Sequence, residues 1–199
     1  MNDDLDIIFF GDSLTFGYGV SKENSWVYKT SCELNLNFLN KGKNGDTTSA
    51  MLVRYNHDVL KYNPSVICIM GGTNDLLCGR KIDYILDNIE IMIKDALDIK
   101  SQVIIGIPPI ILGDMANDLF CPSSFYTYAE EKLPQLHKSL IELCNKYLVS
   151  YIDFYSLQLN HKHLFVDGIH LNSKGNDLMF KDAVKVIKSK FSHRQLQQT

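Results

Sequence analysis

The stretch DIIFFGDSLTFGYG, from Asp6 to Gly19, passes from a short apolar run into a polar, glycine-bearing turn. The run from Asp6 to Phe10 has the length and composition of a strand that is buried on both faces. The chain must then turn sharply at Asp12 and Ser13. Ser13 is therefore predicted to present its hydroxyl beyond the end of a buried strand, with its backbone N–H near the start of a helix.

Four more apolar runs predict buried strands, although the second strand in chain order has the weakest pattern. They are Leu36 to Asn40, Ser65 to Met70, Gln102 to Ile107 and Val149 to Asp153.

Between the strands, apolar residues recur at spacings of three and four, which is typical of helices with one buried face. The clearest patterns are IDYILDNIEIMIKDALDI, residues 82–99, and LPQLHKSLIELCNKYL, residues 133–148, where Pro134 suits a first helical turn. A last helix is expected to begin near Asn172 or Ser173 and to run toward Phe191, and the final SHRQLQQT is expected to fray. This alternation predicts a three-layer α/β/α fold with about five parallel strands, in a single domain spanning residues 1–199.

The composition excludes several classes of partner. The 199 residues are 45% hydrophobic and carry a net charge of −3, which fits one domain with a substantial core. Without a dense stripe of lysine and arginine, we expect no binding to nucleic acid or anionic lipid. We expect no signal peptide, because the N-terminus begins acidic, and no apolar run reaches membrane-spanning length. The five cysteines form no C-x-x-C pair, so reduced thiols and a cytoplasmic location are expected; the oligomeric state stays open.

Polar turns follow four of the predicted strands. They are GDSLTFGYG, NKGKNGDTT, GGTNDLL and VDGIHLNSKG, after strands one, two, three and five. Because functional groups in such sheets collect beyond the carboxyl ends of the strands, we expect these turns to converge on one edge.

The turns contain the parts of an acyl-transfer site. Ser13 is a poor nucleophile without an adjacent base, and His170 is the candidate base. His170 needs an acceptor for its other ring nitrogen, and Asp167 lies one turn away. An oxyanion requires hydrogen-bond donors, for which the Ser13 N–H, the Gly45 N–H and the Asn74 amide are the candidates. Ser13, Asp167 and His170 are thus the predicted catalytic residues, and the chemistry needs no metal or cofactor.

The four turns resemble, in order, conserved blocks of the SGNH, or GDSL, hydrolase family, and the resemblance covers nearly the whole chain. GDSL, residues 11–14, resembles the block whose serine is the nucleophile. NGDTT, residues 44–48, and GTND, residues 72–75, resemble the blocks that donate a glycine N–H and an asparagine amide. DGIH, residues 167–170, resembles the block that supplies the aspartate and the histidine.

The resemblance implies a flavodoxin-like sheet of order 2-1-3-4-5 and hydrolysis of esters or thioesters through an acyl-enzyme. In the second block, Gly42 competes with Gly45 for the oxyanion role. We favour Gly45 because it directly precedes the acidic residue, as the family's glycine usually does.

Other patterns are weaker. HKH, residues 161–163, has the spacing of two metal ligands but lacks a third, so no metal site is expected. The chain contains no G-x-S-x-G motif, and GYGVSK lacks the third glycine of a dinucleotide fingerprint. Asp12 and Asp75 are expected to bond to the backbone of their own loops, and Trp26 is expected to anchor the core.

The sequence says less about the substrate than about the reaction. The stretch from Pro108 to Leu133 follows strand four at the active edge and is longer than an ordinary connection, which makes it a candidate lid or acyl pocket. Its apolar residues either hold an acyl group or pack against the next helix; they are Ile110, Leu112, Met115, Phe120, Phe125 and Tyr126.

Three functions remain open. The first is a serine esterase or acylhydrolase that acts on a small or lipid-like ester. The second is a carbohydrate O-deacetylase with the same mechanism, and the third is a binding module for an ester or a sugar. The complete set of nucleophile, base, orienting acid and donors favours an enzyme, because binding requires no activated serine.

Overall fold

A computed structural model describes residues 5–157, 159 and 161–191. Its five strands form one parallel sheet in the order β2-β1-β3-β4-β5. The strands are β1 (Ile7–Gly11), β2 (Phe38–Gly42), β3 (Val66–Met70), β4 (Gln102–Ile107) and β5 (Ser150–Asp153). The predicted α/β/α class and the 2-1-3-4-5 order are therefore confirmed. The expected fraying of residues 192–199 lies outside the described residues.

Helices cover both faces of the sheet. Within the described residues the α-helices are α1 (Ser13–Phe16), α2 (Trp26–Glu33), α3 (Thr48–Asp58), α4 (Thr73–Leu77), α5 (Ile82–Asp98), α6 (Gly113–Leu119), α7 (Ser124–Tyr147) and α8 (Ser173–Lys190). Alternate residues of a strand point to opposite faces. Ile8 and Phe10 accordingly join the core beneath α3, α4, α5 and α7, whereas Ile7 and Phe9 join the core beneath α2 and α8.

The edge strands differ from the sequence prediction. Every residue of β1 and β3 is buried, as predicted, but β2 is partly exposed along its whole length and begins at Phe38 rather than Leu36. In β5 only Ile152 is buried, and the strand begins at Ser150 rather than Val149. The prediction that β2 and β5 are buried on both faces was therefore wrong. Both strands lie at an edge of the sheet, which explains the difference, because an edge strand has a neighbour on one side only.

Helix α7 is longer than its pattern predicted. It begins at Ser124, after Ser123 caps it by accepting the Phe125 N–H at 3.2 Å, and Pro134 lies inside it rather than in its first turn. Proline removes one backbone hydrogen bond from a helix. The helix continues past it because Ala129 and Leu136 on either side are both fully buried.

The other two helix predictions were accurate. α5 ends at Asp98, one residue before the predicted end. α8 begins at Ser173, with the Asn172 side chain accepting the N–H groups of Lys174 and Gly175 at 3.0 and 3.3 Å.

Trp26 is a core residue, as predicted. It is fully buried, and its ring contacts Phe9 and Phe154 edge-on at centroid distances of 5.3 and 5.1 Å. Its indole N–H donates to the carbonyl oxygen of Leu14 at 2.9 Å. This bond joins α2 to α1, the short helix that begins at Ser13.

Candidate active site

The turn after β1 is held by close packing. A side chain at Gly11 would place its Cβ 2.3 Å from the Met70 carbonyl oxygen, so only glycine fits there. Asp12 caps α1 by accepting the Leu14 N–H at 2.9 Å. Ser13 is consequently the first residue of α1, where its own N–H has no partner inside the helix.

Ser13, His170 and Asp167 form one hydrogen-bonded chain. The Ser13 Oγ lies 2.8 Å from His170 Nε2, and His170 Nδ1 lies 2.7 Å from Asp167 Oδ2. The other carboxylate oxygen, Asp167 Oδ1, accepts the backbone N–H groups of Ile169 and His170 at 3.0 and 2.8 Å. The structure thus brings together three side chains from opposite ends of the sequence.

The protonation of this chain follows from its contacts. Burial alone would raise the pKa of Asp167, but the hydrogen bonds from the His170 ring and from two backbone N–H groups outweigh it and lower that pKa. An anionic Asp167 favours the imidazole tautomer that carries its proton on Nδ1. The Nε2 lone pair then faces the Ser13 hydroxyl, which is the arrangement a general base requires.

The three candidate oxyanion donors lie around the same turn. The Asn74 amide donates to the carbonyl oxygen of Asp46 at 2.9 Å, and it lies 3.4 Å from Asp12 Oδ2. The Asn74 side chain therefore lies between Asp46, which follows Gly45, and Asp12, which precedes Ser13. Gly45 adopts a left-handed conformation with a φ of 78°, and its N–H has no hydrogen-bond partner among the residues that the structure describes.

Gly42, the other candidate for the oxyanion role, has a packing role instead. Its N–H donates to the side-chain oxygen of Asn40 at 2.9 Å, and a Cβ at this position would lie 2.2 Å from the Phe16 nitrogen. Glycine at position 42 therefore allows β2 to pack against α1. At Gly45, by contrast, nothing lies within 4 Å of an added Cβ. Of the two glycines, Gly45 has the N–H that is free to bind a ligand.

The two acidic neighbours of the site have structural partners. Asp12 bonds to its own turn, as expected, whereas Asp75 accepts the N–H and the hydroxyl of Thr48, at the start of α3, at 2.7 and 2.9 Å. The pKa of Asp12 is raised to about 7, mainly because the carboxyl group is buried. The hydrogen bond from the Leu14 N–H and the nearby His170 oppose this rise without cancelling it. Burial also raises the pKa of Asp75.

Two residues beside the site, Tyr18 and Arg54, were not predicted from the sequence. The Tyr18 ring lies 4.4 Å from the His170 ring between centroids and is 46% exposed. Arg54 on α3 bonds to the ends of β1 and β2 and to the turn after β2. A signal for Arg54 was present, since it falls on the same helical face as Met51 and Tyr55.

The stretch from Pro108 to Leu133 contains α6 and the first ten residues of α7. Ile110, Leu112 and Met115 pack partly against the core, and the Leu112 N–H donates to the Gly168 carbonyl at 2.7 Å. The stretch therefore borders the turn between Asp167 and His170. Its aromatic residues are less enclosed, since Phe120 and Phe125 are each 46% exposed.

The remaining patterns have simple structural contexts. His161 and His163 are exposed and stack on each other with ring centroids 5.4 Å apart. In the part of the chain that the structure describes, no three His, Cys, Asp or Glu residues gather as metal ligands. Over that same part, no helix combines the length and apolarity needed to cross a bilayer. All five cysteines are unpaired.

Solved structures with this fold come from several bacteria. A lipase/acylhydrolase from Enterococcus faecalis is 25% identical, with a TM-score of 0.78 over 94% of this chain and 96% of that one. A member of the lipolytic protein G-D-S-L family from Veillonella parvula is 29% identical, with a TM-score of 0.76 over 92% and 98% of the two chains. An acetylxylan esterase from Geobacillus stearothermophilus shares the fold at 16% identity, with a TM-score of 0.75 over 94% and 96%.

The sequence matches one relative over part of its length and one family profile over most of it. An uncharacterized lipoprotein of Bacillus subtilis is 40% identical over 77 residues, which span 35% of this chain and about a third (32%) of that relative. Residues 9–178 match the sequence profile of the GDSL-like lipase/acylhydrolase family. Because this match covers most of the sequence and includes all four turns of the site, the chain belongs to the GDSL-like lipase/acylhydrolase family.

Proposed function

We propose that this chain is an SGNH-type serine esterase or acylhydrolase that cleaves carboxylic esters, thioesters included, of small or lipid-like substrates through an acyl-enzyme. The observation that carries the proposal is the hydrogen-bonded chain from Ser13 through His170 to Asp167, at 2.8 and 2.7 Å. Family membership supports ester hydrolysis as the reaction.

The first half of the reaction acylates Ser13. His170 Nε2 takes the hydroxyl proton as the Ser13 oxygen attacks the ester carbonyl, and Asp167 stabilises the imidazolium that forms. The negative charge that develops on the carbonyl oxygen is bound by the N–H groups of Ser13 and Gly45 and by the Asn74 amide. The bond to the leaving group then breaks, and the alcohol or thiol departs with the proton held by His170.

The second half restores the enzyme. Water enters where the leaving group was, and His170 removes its proton as the oxygen attacks the acyl carbonyl. The same donors bind the second oxyanion. Collapse of this intermediate breaks the bond to the Ser13 oxygen, which takes the proton back from His170. The products are a carboxylic acid and the free serine.

The surroundings of the site favour an apolar acyl group. The α6 region contacts the Asp167 turn through the bond from Leu112 to Gly168, and Met115 and Phe120 lie on this same segment. We assign Pro108 to Leu133 as one wall of the acyl pocket. The E. faecalis protein, named a lipase/acylhydrolase, is consistent with this substrate class.

The proposal includes two statements about the whole protein. Residues 1–199 act as one domain, which is supported by a single sheet and by one family match over residues 9–178. The protein works in the cytoplasm, where thiols stay reduced. The five unpaired cysteines support this location, which cell fractionation tests directly.

The test is the initial rate of p-nitrophenyl ester hydrolysis over acyl chains from acetyl to octanoyl. We expect turnover by the wild type and none above background by Ser13→Ala. Ser21→Ala is a matched control, because this exposed serine hydroxyl accepts a bond from Asn24 instead of facing the histidine. Equal rates for wild type and Ser13→Ala would remove Ser13 as the nucleophile.

Related measurements separate the alternatives. A binding module would bind an ester tightly and release no acid from it. A carbohydrate deacetylase would release acetate from an acetylated sugar with a higher kcat/KM than from p-nitrophenyl acetate. A preference for longer acyl chains would support the acyl wall from Pro108 to Leu133.

A further inference from the structure

Arg54 carries a positive charge in a nearly closed environment. It lies on α3, its side chain is 14% exposed, and its guanidinium stands over the Phe10 ring, 4.3 Å from the centroid. A charge removed from water in this way is costly unless it is paired and fully hydrogen-bonded. The partners of Arg54 are therefore informative about its role.

Three of its four partners lie at the ends of β1 and β2 or in the turn that follows β2. The guanidinium donates to the carbonyl oxygens of Gly11 and Lys41 at 2.9 and 3.0 Å, and to Asp46 Oδ2 at 2.6 Å. Gly11 ends β1 directly before Asp12 and Ser13, and Lys41 lies near the end of β2. A fourth bond, to Asp58 Oδ2 at 2.9 Å, is made one helical turn along α3. One planar group thus joins the ends of two strands to the turn that contains Gly45.

Asp46 connects Arg54 to two of the candidate oxyanion donors, Gly45 and Asn74. Its side chain is 7% exposed, and its other cationic neighbour, Lys43, lies 3.9 Å away and is 68% exposed. Its carbonyl oxygen accepts the Asn74 amide at 2.9 Å, and it directly follows Gly45. The turn has backbone bonds of its own, from the Lys43 N–H to the Gly11 carbonyl oxygen at 3.0 Å and from the Asp46 N–H to the Lys43 carbonyl oxygen at 3.2 Å. Arg54 adds a side-chain attachment at Asp46, directly beside the open space at Gly45.

We propose that Arg54 is a positioning residue for the oxyanion-binding groups: through Asp46 it sets the place of the Gly45 N–H and the Asn74 amide relative to Ser13. The inference rests on the proposed function. Arg54 does not touch the substrate. It fixes three backbone segments at once, which requires the planar fork of a guanidinium rather than a point charge.

The test compares Arg54→Met, Arg54→Lys and Asp58→Asn. Asp58→Asn is the matched control, because it weakens the one Arg54 contact that points away from the turn. Loss of one oxyanion donor lowers kcat by about 10²–10³ in other hydrolases. For Arg54→Met we expect kcat to fall about 10- to 100-fold with KM nearly unchanged, since only transition-state binding is lost. Arg54→Lys should recover part of this loss, and Asp58→Asn should keep kcat within about twofold.

Inhibition by butylboronic acid separates positioning from a general loss of structure. The Ser13 oxygen adds to boron, its proton passes to the histidine, and the tetrahedral anion mimics the intermediate. We expect the inhibition constant to rise by the same factor as kcat falls in Arg54→Met. Rates are normalised to the protein that a fluorophosphonate labels at completion, which removes any effect of unfolded protein.

If Arg54→Met does not fold, Arg54→Lys, which keeps the charge without the planar fork, takes its place in these measurements, and chemical rescue gives a further readout. Guanidinium chloride at non-denaturing concentration should raise the kcat of Arg54→Ala, whereas equal sodium chloride should not. An unchanged kcat in folded Arg54→Met, or equal losses in Arg54→Met and Asp58→Asn, would overturn the inference while leaving the proposed function intact. A wild type that hydrolyses no ester and takes up no fluorophosphonate would overturn the proposed function, and this inference with it.

Discussion

Replacing Asp167 with asparagine should trap His170 in the wrong tautomer. The direction follows from the contacts of the two carboxylate oxygens. Asp167 Oδ1 accepts two backbone N–H groups, at 3.0 and 2.8 Å, so the amide oxygen of an asparagine must take that position. Its NH₂ group then faces His170 Nδ1, which lies 2.7 Å from the present Oδ2. The imidazole can only accept this bond, so its proton moves to Nε2.

A proton on Nε2 faces the Ser13 oxygen across 2.8 Å and removes the base. We expect kcat/KM of Asp167→Asn to fall about 10⁴-fold, or about 5 kcal/mol of transition-state stabilisation. Because both backbone bonds are kept, the unfolding midpoint should change little. Steady-state hydrolysis of a p-nitrophenyl ester, together with thermal unfolding followed by circular dichroism, measures the two quantities on one sample.

The chain offers a matched control for this substitution. Asp153 also pairs with a histidine, His137, at 3.0 Å, and also accepts a backbone N–H, from Ser156 at 3.0 Å. Asp153→Asn therefore makes the same chemical change in an aspartate–histidine pair outside the Ser13 hydrogen-bonded chain, and it should keep kcat/KM within about twofold. If Asp167→Asn retained more than about a tenth of the wild-type rate, the tautomer argument would be refuted.

Three further predictions concern the Asp12 carboxyl group, the Tyr18 ring and the two glycines after β2 and at its end. Burial raises the pKa of Asp12 to about 7, above its value of 3.8 when unfolded, so its contribution to stability is complete below pH 4 and is lost as the pH rises through 7. Asp12→Asn should remove up to about 3 kcal/mol of the decline between pH 5 and 8, and urea unfolding at these two pH values would contradict this expectation if both proteins changed equally. Tyr18→Leu should lower kcat/KM by about 2- to 30-fold through loss of the ring face beside the imidazolium, whereas Tyr18→Phe should not; equal losses would count against the ring contact. Gly42→Ala should destabilise the fold more than Gly45→Ala, because the Cβ at position 42 would lie 2.2 Å from the Phe16 nitrogen. Gly45→Ala should lower the free energy of unfolding by only about 1 kcal/mol. The opposite order of melting temperatures would contradict the roles assigned to the two glycines.

The central strands and the convergence of the turns could be predicted because both depend on local features. β1 and β3 are short apolar runs that are buried on both faces, and β4 matches its predicted bounds at Gln102 and Ile107. The carboxyl ends of parallel strands lie at the same edge of the sheet, even when the last residue of a strand is predicted one or two positions away. For this reason, errors of one or two residues in the bounds did not move Ser13 or Asn74 away from the predicted edge.

The features that could not be predicted depend on tertiary contacts. The exposure of β2 follows from its edge position, which its own residues do not encode. The extension of α7 through Pro134 depends on packing that offsets a missing hydrogen bond. The partners of Arg54 come from β1, the end of β2 and the following turn, and no spacing within α3 identifies them.

The most direct test of the account is to look for the acyl-enzyme itself. Wild-type protein is mixed with a p-nitrophenyl ester, quenched in acid within the first turnovers, digested and analysed by mass spectrometry. We predict that the peptide containing Ser13 carries the acyl group, and that the corresponding peptide of Ser13→Ala carries none. Hydrolysis by the wild type with no acyl group on Ser13, or with the group on another residue, would contradict it.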